Sequence, residues 1–194
     1  MSFINEQTKE INCKILYFGP PLCGKSTTLR TICHQVQGNK TEPISIGNGE
    51  DRTLFFDFVP LTVGKIRDFT IRLHLYTVPG QAAYTANRKI IAKGVDGIVF
   101  IVDSQVQKME ENLTSLKELR AICESEGHTW GSIPMVIQYN KRDLPQAAPL
   151  PALRDALNPL KAPDFETVAT TGTGVMDALK AVGLLVLRSL KEPR

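Results

Sequence analysis

The chain has 194 residues, 42% of them hydrophobic and 22% charged, which suits one globular domain with one core, spanning 1–194, and excludes a disordered chain. A formal net charge of +3 is too small to argue for nucleic acid or an anionic membrane as partner. The longest apolar stretch, Ile98 to Val102, is far too short to span a bilayer. The opening Met1-Ser2-Phe3-Ile4-Asn5 carries no secretory pattern, Ser2 rules out the myristoylation motif, and Lys191-Glu192-Pro193-Arg194 holds no prenylatable cysteine. The expectation is a cytoplasmic protein without a lipid anchor, monomeric when alone, whose association with a membrane would need a partner or a surface patch. Cys13, Cys23, Cys33 and Cys123 form no C-x-x-C pair, and the three histidines lie far apart, so neither a thiolate metal site nor a disulfide framework is expected.

In chain order, Ile11 to Phe18 reads as a buried strand, and it runs into Gly19-Pro20-Pro21-Leu22-Cys23-Gly24-Lys25-Ser26. A helix over Ser26 to Val36 follows, with Leu29, Ile32, Cys33 and Val36 on one face. Gln37 to Asp51 lacks periodicity and reads as a mobile loop. Leu54 to Val59 and Phe69 to Val78 read as an antiparallel hairpin with a long turn over Leu61 to Asp68. A helix over Ala82 to Ala92 leads to Val95 to Asp103, whose continuous apolar run suits a strand covered on both faces. The helix Glu111 to Glu124 turns Leu113, Leu116, Leu119, Ile122 and Cys123 inward. Pro134 to Tyr139 is a strand, Leu153 to Leu157 a short helix, Phe165 to Ala169 the last strand. Val175 to Leu190 closes the chain as a helix facing the core through Val175, Leu179, Val182, Val186 and Leu190. The alternation predicts a three-layer α/β/α P-loop fold, with a mostly parallel sheet and one antiparallel edge hairpin.

The string Gly19 to Ser26 fits G-x-x-x-x-G-K-[ST], and it lies between a strand and a helix, the context that makes this pattern a phosphate site. Gly19, Leu22, Cys23, Gly24, Lys25, Ser26 and Thr27 are the expected cradle: backbone N–H groups and the positive end of the helix face the phosphates. Lys25 is expected to reach the β- and γ-phosphates and the Ser26 hydroxyl to ligate Mg²⁺. Asn140-Lys141-Arg142-Asp143, at the end of a strand, is the base-reading candidate. An Asp143 carboxylate can accept from guanine N1–H and the 2-amino group, donors that adenine lacks. The Lys141 stem can cover the base and Asn140 can brace the phosphate loop. Ala169 is placed to offer its backbone N–H to the guanine oxygen, with Thr170 beside it in the binding set. GTP and GDP are the expected ligands. Thr53 can close over Mg²⁺ and Gly80 can give its N–H to the γ-phosphate; both contacts vanish with GDP, so their loops become switches. Gln81 can orient the attacking water.

This set resembles the Ras-like small GTPases over almost the whole chain. Longer runs narrow the likeness to their bacterial MglA-type group: Asp51 to Phe58, His74 to Gln81, Gly94 to Gly97, Val102 to Gln105, Gln138 to Pro145 and the opening Met1 to Asn5. The resemblance implies a Ras-like G domain that hydrolyses GTP slowly, at about 10⁻³ s⁻¹ or below without help. It implies a switch in cell polarity or motility, with GTP-dependent effectors and a dimeric, MglB-like Roadblock-domain activating partner over the switch loops. It also implies that Arg52 is an arginine finger supplied by the GTPase itself. Most Ras-like proteins carry Asp where this chain has Thr77; that Asp holds Mg²⁺ through water, and Asp57 or Asp103 is the candidate to compensate. Two other readings stay open: a GTP-holding scaffold that scarcely hydrolyses, and a small-molecule kinase, although no arginine-rich lid is evident.

Overall fold

The computed structural model describes residues 3–37, 43–46, 56–78 and 85–190. Arg52, Thr53, Gly80 and Gln81 lie outside the described residues, as do Leu54 and Phe55. Within them the elements are β1 (Phe3–Asn5), β2 (Glu10–Phe18), α1 (Lys25–Gln37), β3 (Ile44–Ile46), β4 (Phe56–Ile66), β5 (Phe69–Thr77), α2 (Thr85–Ala92), β6 (Gly97–Asp103), α3 (Met109–Ser125), β7 (Met135–Asn140), α4 (Leu150–Leu157), β8 (Asp164–Glu166) and α5 (Val175–Ser189).

The strands form one sheet in the order β3-β4-β5-β2-β6-β7-β8, with β1 paired to β2. β5, β2, β6, β7 and β8 run parallel, and β4 is antiparallel to β5. Two short antiparallel strands were not foreseen. β1 covers the first part of β2, where β6 has not yet begun to pair, and β3 extends the outer edge along β4. Every residue of β6 and β7 is buried, as expected of strands with a helix layer on each side. One apolar layer packs Leu29, Ile32 and Cys33 of α1 and Val175, Leu179, Val182 and Val186 of α5 on the sheet. The opposite layer takes Ile91 of α2, Leu116, Leu119 and Ile122 of α3, and Leu153 and Leu157 of α4. Arg88 of α2 is ion-paired to Glu118 of α3 at 2.9 Å, which fastens the two helices. Val36, expected on the inner face of α1, is 43% exposed near the end of that helix.

The hairpin corrects the expected turn. β4 continues to Ile66, so Leu61 to Ile66 is strand and the connection is the tight Arg67-Asp68, with Arg67 at φ 52°. Pro60 and Gly64 look like strand breakers, but each has a place here. Pro60 lies past Phe58, the last partner of β3, on a stretch whose outer edge needs no N–H donor. Gly64 follows a register shift at Thr62, a bulge where an extra residue is accommodated. Likewise β3 lies inside the stretch read as a loop, and the last strand is shorter than Phe165 to Ala169. Past Glu166 the chain leaves the sheet, Val168 bridges to Thr173, and a turn forms instead.

Candidate nucleotide-binding site

The order of strands reverses at β2: the chain passes through α1 to β5 on one side and later to β6 on the other. A crevice opens outside the carboxyl ends of the strands at such a reversal. The loop 19–24 leaves β2 there, and Asn140 ends β7 nearby. Gly19 approaches β6 so closely that a Cβ would lie 2.2 Å from the Ile101 carbonyl oxygen. Gly24 has φ +105°, and a Cβ there would lie 2.3 Å from Asn140 Nδ2. Both positions therefore require glycine, one for contact with the backbone of β6 and one for contact with Asn140. Leu22, at φ 59°, is 72% exposed on the outside of the loop. Cys23 is fully buried beneath it, where burial raises the thiol's pKa and the nearby Lys25 opposes that shift.

Lys25, also buried, curls its ammonium back over the loop, donating to the Gly19 carbonyl at 3.0 Å and the Pro20 carbonyl at 2.7 Å. An ammonium has three donors, and the third is directed at Cys23 Sγ at 3.8 Å, so the lysine head is held inside the loop. Ser26 and Thr27, both half-buried, follow at the start of α1. Thr28 is buried and receives a hydrogen bond from Gln138 Nε2 of β7 at 3.1 Å, which ties α1 to the sheet.

Asn140 joins the two ends of the crevice. Its Nδ2 donates to the Cys23 carbonyl at 2.8 Å, and its Oδ1 accepts the Ala169 N–H at 2.9 Å. The Ala169 N–H is thus engaged by Asn140, so a base oxygen would have to share it. Lys141 stands at φ 65° just after β7, and its ammonium pairs with the buried Asp103 at 2.6 Å. Gln105 braces the other carboxylate oxygen at 3.1 Å, and Asn112 holds both backbone groups of Asp103. Asp143 is exposed on the turn that follows, at the rim, and Thr170 is exposed on the facing loop. Arg142 points elsewhere, to Glu166 and the Ala148 carbonyl.

On the other flank, Thr77 ends β5 fully buried and faces Asp57 of β4. The Asp57 N–H donates to Thr77 Oγ1 at 2.8 Å, and the same hydroxyl donates to Asp57 Oδ2 at 3.1 Å. The carboxylate missing at Thr77 is therefore present one strand away. The structure links the phosphate-loop candidate, Asn140 and Ala169 by hydrogen bonds, with Lys141 and Asp143 following Asn140 and Thr170 following Ala169 in the chain. Sequence reasoning passed over Thr28, Thr31 and Gln138. The signal was a polar row, Thr28-Thr31-Gln35, at helical spacing on α1 beside its apolar stripe.

A family model for the ADP-ribosylation factor family matches residues 1–183. The Mutual gliding-motility protein MglA of Myxococcus xanthus (strain DK1622) is 54% identical over 193 residues, covering 99% of each chain. ADP-ribosylation factor-like protein 4A of Homo sapiens is 28% identical over 187 residues, 91% of this chain and 84% of its own.

Proposed function

The chain belongs to the ADP-ribosylation factor family of small GTPases, on its MglA-type side, and from that membership we propose a GTP-hydrolysing switch that governs cell polarity or gliding motility from the cytoplasm. The observation that carries the reading is Asn140, which spans from the phosphate loop to the Ala169 turn with one side chain. One G domain over 1–194 holds the whole site.

In this reading Gly19, Leu22, Cys23, Gly24, Lys25, Ser26 and Thr27 cradle the phosphates. Lys25 exchanges a carbonyl partner for the β- and γ-oxygens. Lys141 covers the base while Asp143 reads its N1–H and 2-amino group. Thr53 and Gly80 close on the terminal phosphate, Gln81 orients water, and Arg52 neutralises the charge that develops during transfer. The donors near the cradle are hard oxygens, the Ser26 hydroxyl and the buried Asp57 carboxylate beside Thr77, and they fit a magnesium ion. Ser26 and Thr53 would hold it directly and Asp57 through water; bound, the ion supplies charge neutralisation between the β- and γ-phosphates.

The partners are effectors that bind the GTP form and a Roadblock-domain activating protein, MglB-like and dimeric, seated over the switch loops. Among the described residues no helix is long and apolar enough to cross a membrane. Phosphate release is measured with and without such a partner for wild type and Arg52→Ala. Stimulation in wild type that Arg52→Ala abolishes, with GTP binding kept, supports the reading. Tight GTP binding with no phosphate release under either condition would favour the scaffold instead.

A further inference from the structure

The turn that carries Ala169 and Thr170 is fastened to α1 as well as to Asn140. Thr31 Oγ1 donates to the Ala169 carbonyl at 2.6 Å, a bond between residues 138 apart in sequence. The same helix packs on the turn one step further along: a Cβ on Gly172 would meet Gln35 Nε2 at 2.3 Å and Thr31 Cγ2 at 3.2 Å. Within the turn the other donors are engaged. The Ala169 N–H goes to Asn140 Oδ1, and those of Thr171 and Gly172 go to the Val168 carbonyl. The Thr170 N–H makes none of these bonds, and Thr170 is exposed.

A trans peptide points its C=O and N–H in opposite directions. The Ala169 carbonyl and the Thr170 N–H belong to one peptide unit. When Thr31 holds that carbonyl against α1, the Thr170 N–H must face away from the helix, on the open side of the turn. We propose that Thr31 is a positioning residue for base recognition: through the Ala169 carbonyl it aims the Thr170 N–H at the exocyclic oxygen of guanine. This rests on the reading of the 169–170 turn as a guanine-binding element. It couples the base end of the site to the helix that starts at the phosphate loop, without Thr31 touching the ligand.

Thr31→Val keeps the shape and removes the hydroxyl; Thr31→Ser restores it. Equilibrium binding is measured for GDP, ADP, inorganic pyrophosphate and 6-thio-GDP, in which a sulfur, a weaker acceptor, replaces the guanine oxygen while N1–H and the 2-amino group remain. Thr31→Val is expected to weaken GDP by roughly fivefold, as for one lost neutral hydrogen bond, and 6-thio-GDP much less. Pyrophosphate affinity stays at the wild-type value, and Thr31→Ser recovers GDP binding. A merely structural role would weaken all ligands alike, and that result would overturn the proposal. So would unchanged GDP affinity in Thr31→Val. A wild-type protein that bound ADP as tightly as GDP would overturn the guanine reading itself, a different outcome from loss of the Thr31 effect alone. If Thr31→Val fails to fold, Thr31→Ala with the same four ligands decides between the same results.

Discussion

Asp57 and Thr77 face each other across the β4–β5 pair, with the Thr77 hydroxyl accepting from the Asp57 N–H and donating to its carboxylate. A neutral residue thus ends β5, while a buried carboxylate reaches the same place from the neighbouring strand. If that carboxylate serves magnesium, Asp57→Asn should raise by about tenfold the magnesium concentration needed to retain GDP, since a neutral amide oxygen is a poorer partner for a hard cation. Chelator-induced release of a fluorescent GDP measures it. An unchanged magnesium requirement would assign Asp57 to strand packing alone.

Asn140 bonds with one side chain to the Cys23 carbonyl and to the Ala169 N–H. Asn140→Ala would leave the buried Cys23 carbonyl and Ala169 N–H without a partner, at a cost of about 2–3 kcal/mol in stability for the two. The phosphate and base ends of the site would also lose their link, so GDP release should speed up. Chemical denaturation and nucleotide dissociation check the two effects; normal values in both would contradict the bridging role.

Gly24→Ala tests the same contact from the loop. The added Cβ falls on Asn140 Nδ2, and the position already has φ +105°. Loss of nucleotide binding is expected, with the melting temperature reduced by a few degrees, about what 1 kcal/mol costs a domain of this size. Full GDP affinity in this variant would show that the loop can move off Asn140 without harm.

His74 gives a pH prediction. Its ring stacks on Phe58 with centroids 5.7 Å apart, and its Nε2 lies 2.8 Å from Asn12 Oδ1. Burial lowers its pKa, the Arg72 guanidinium lowers it further, and Glu10 opposes them. The folded chain therefore binds fewer protons here than the unfolded chain just below about pH 6.5. This contribution is complete above that pH and is lost as pH falls toward the depressed folded value. His74→Gln removes it, so the melting temperatures of wild type and variant should converge or cross between pH 7.5 and 5.5. A constant difference across that range would contradict the assignment.

The sheet, its helices and the phosphate loop were legible because their signals are local. Continuous apolar runs mark β6 and β7, helical spacing marks α3 and α5, and two glycines with Lys25 mark the loop. The hairpin was misjudged because Pro60 and Gly64 signal breaks that the edge position and the bulge absorb, which depends on neighbours far along the chain. The contacts of Asn140 to Cys23 and Ala169, the pairing of Lys141 with Asp103 and the bond from Thr31 to Ala169 join residues distant in sequence. Of these, the bracing role of Asn140 was read from its motif, whereas nothing about Thr31 in isolation distinguishes it from a surface threonine.

The proposed switch depends on one crevice that reads guanine at one rim and phosphate at the other. Competition of ADP and GDP for the purified protein, with wild type and Asp143→Asn side by side, tests it most directly. GDP should displace a bound fluorescent GDP at concentrations at which ADP does nothing, and Asp143→Asn should lose about 2–4 kcal/mol of GDP binding. Equal displacement by ADP, or full GDP affinity in Asp143→Asn, would contradict the account.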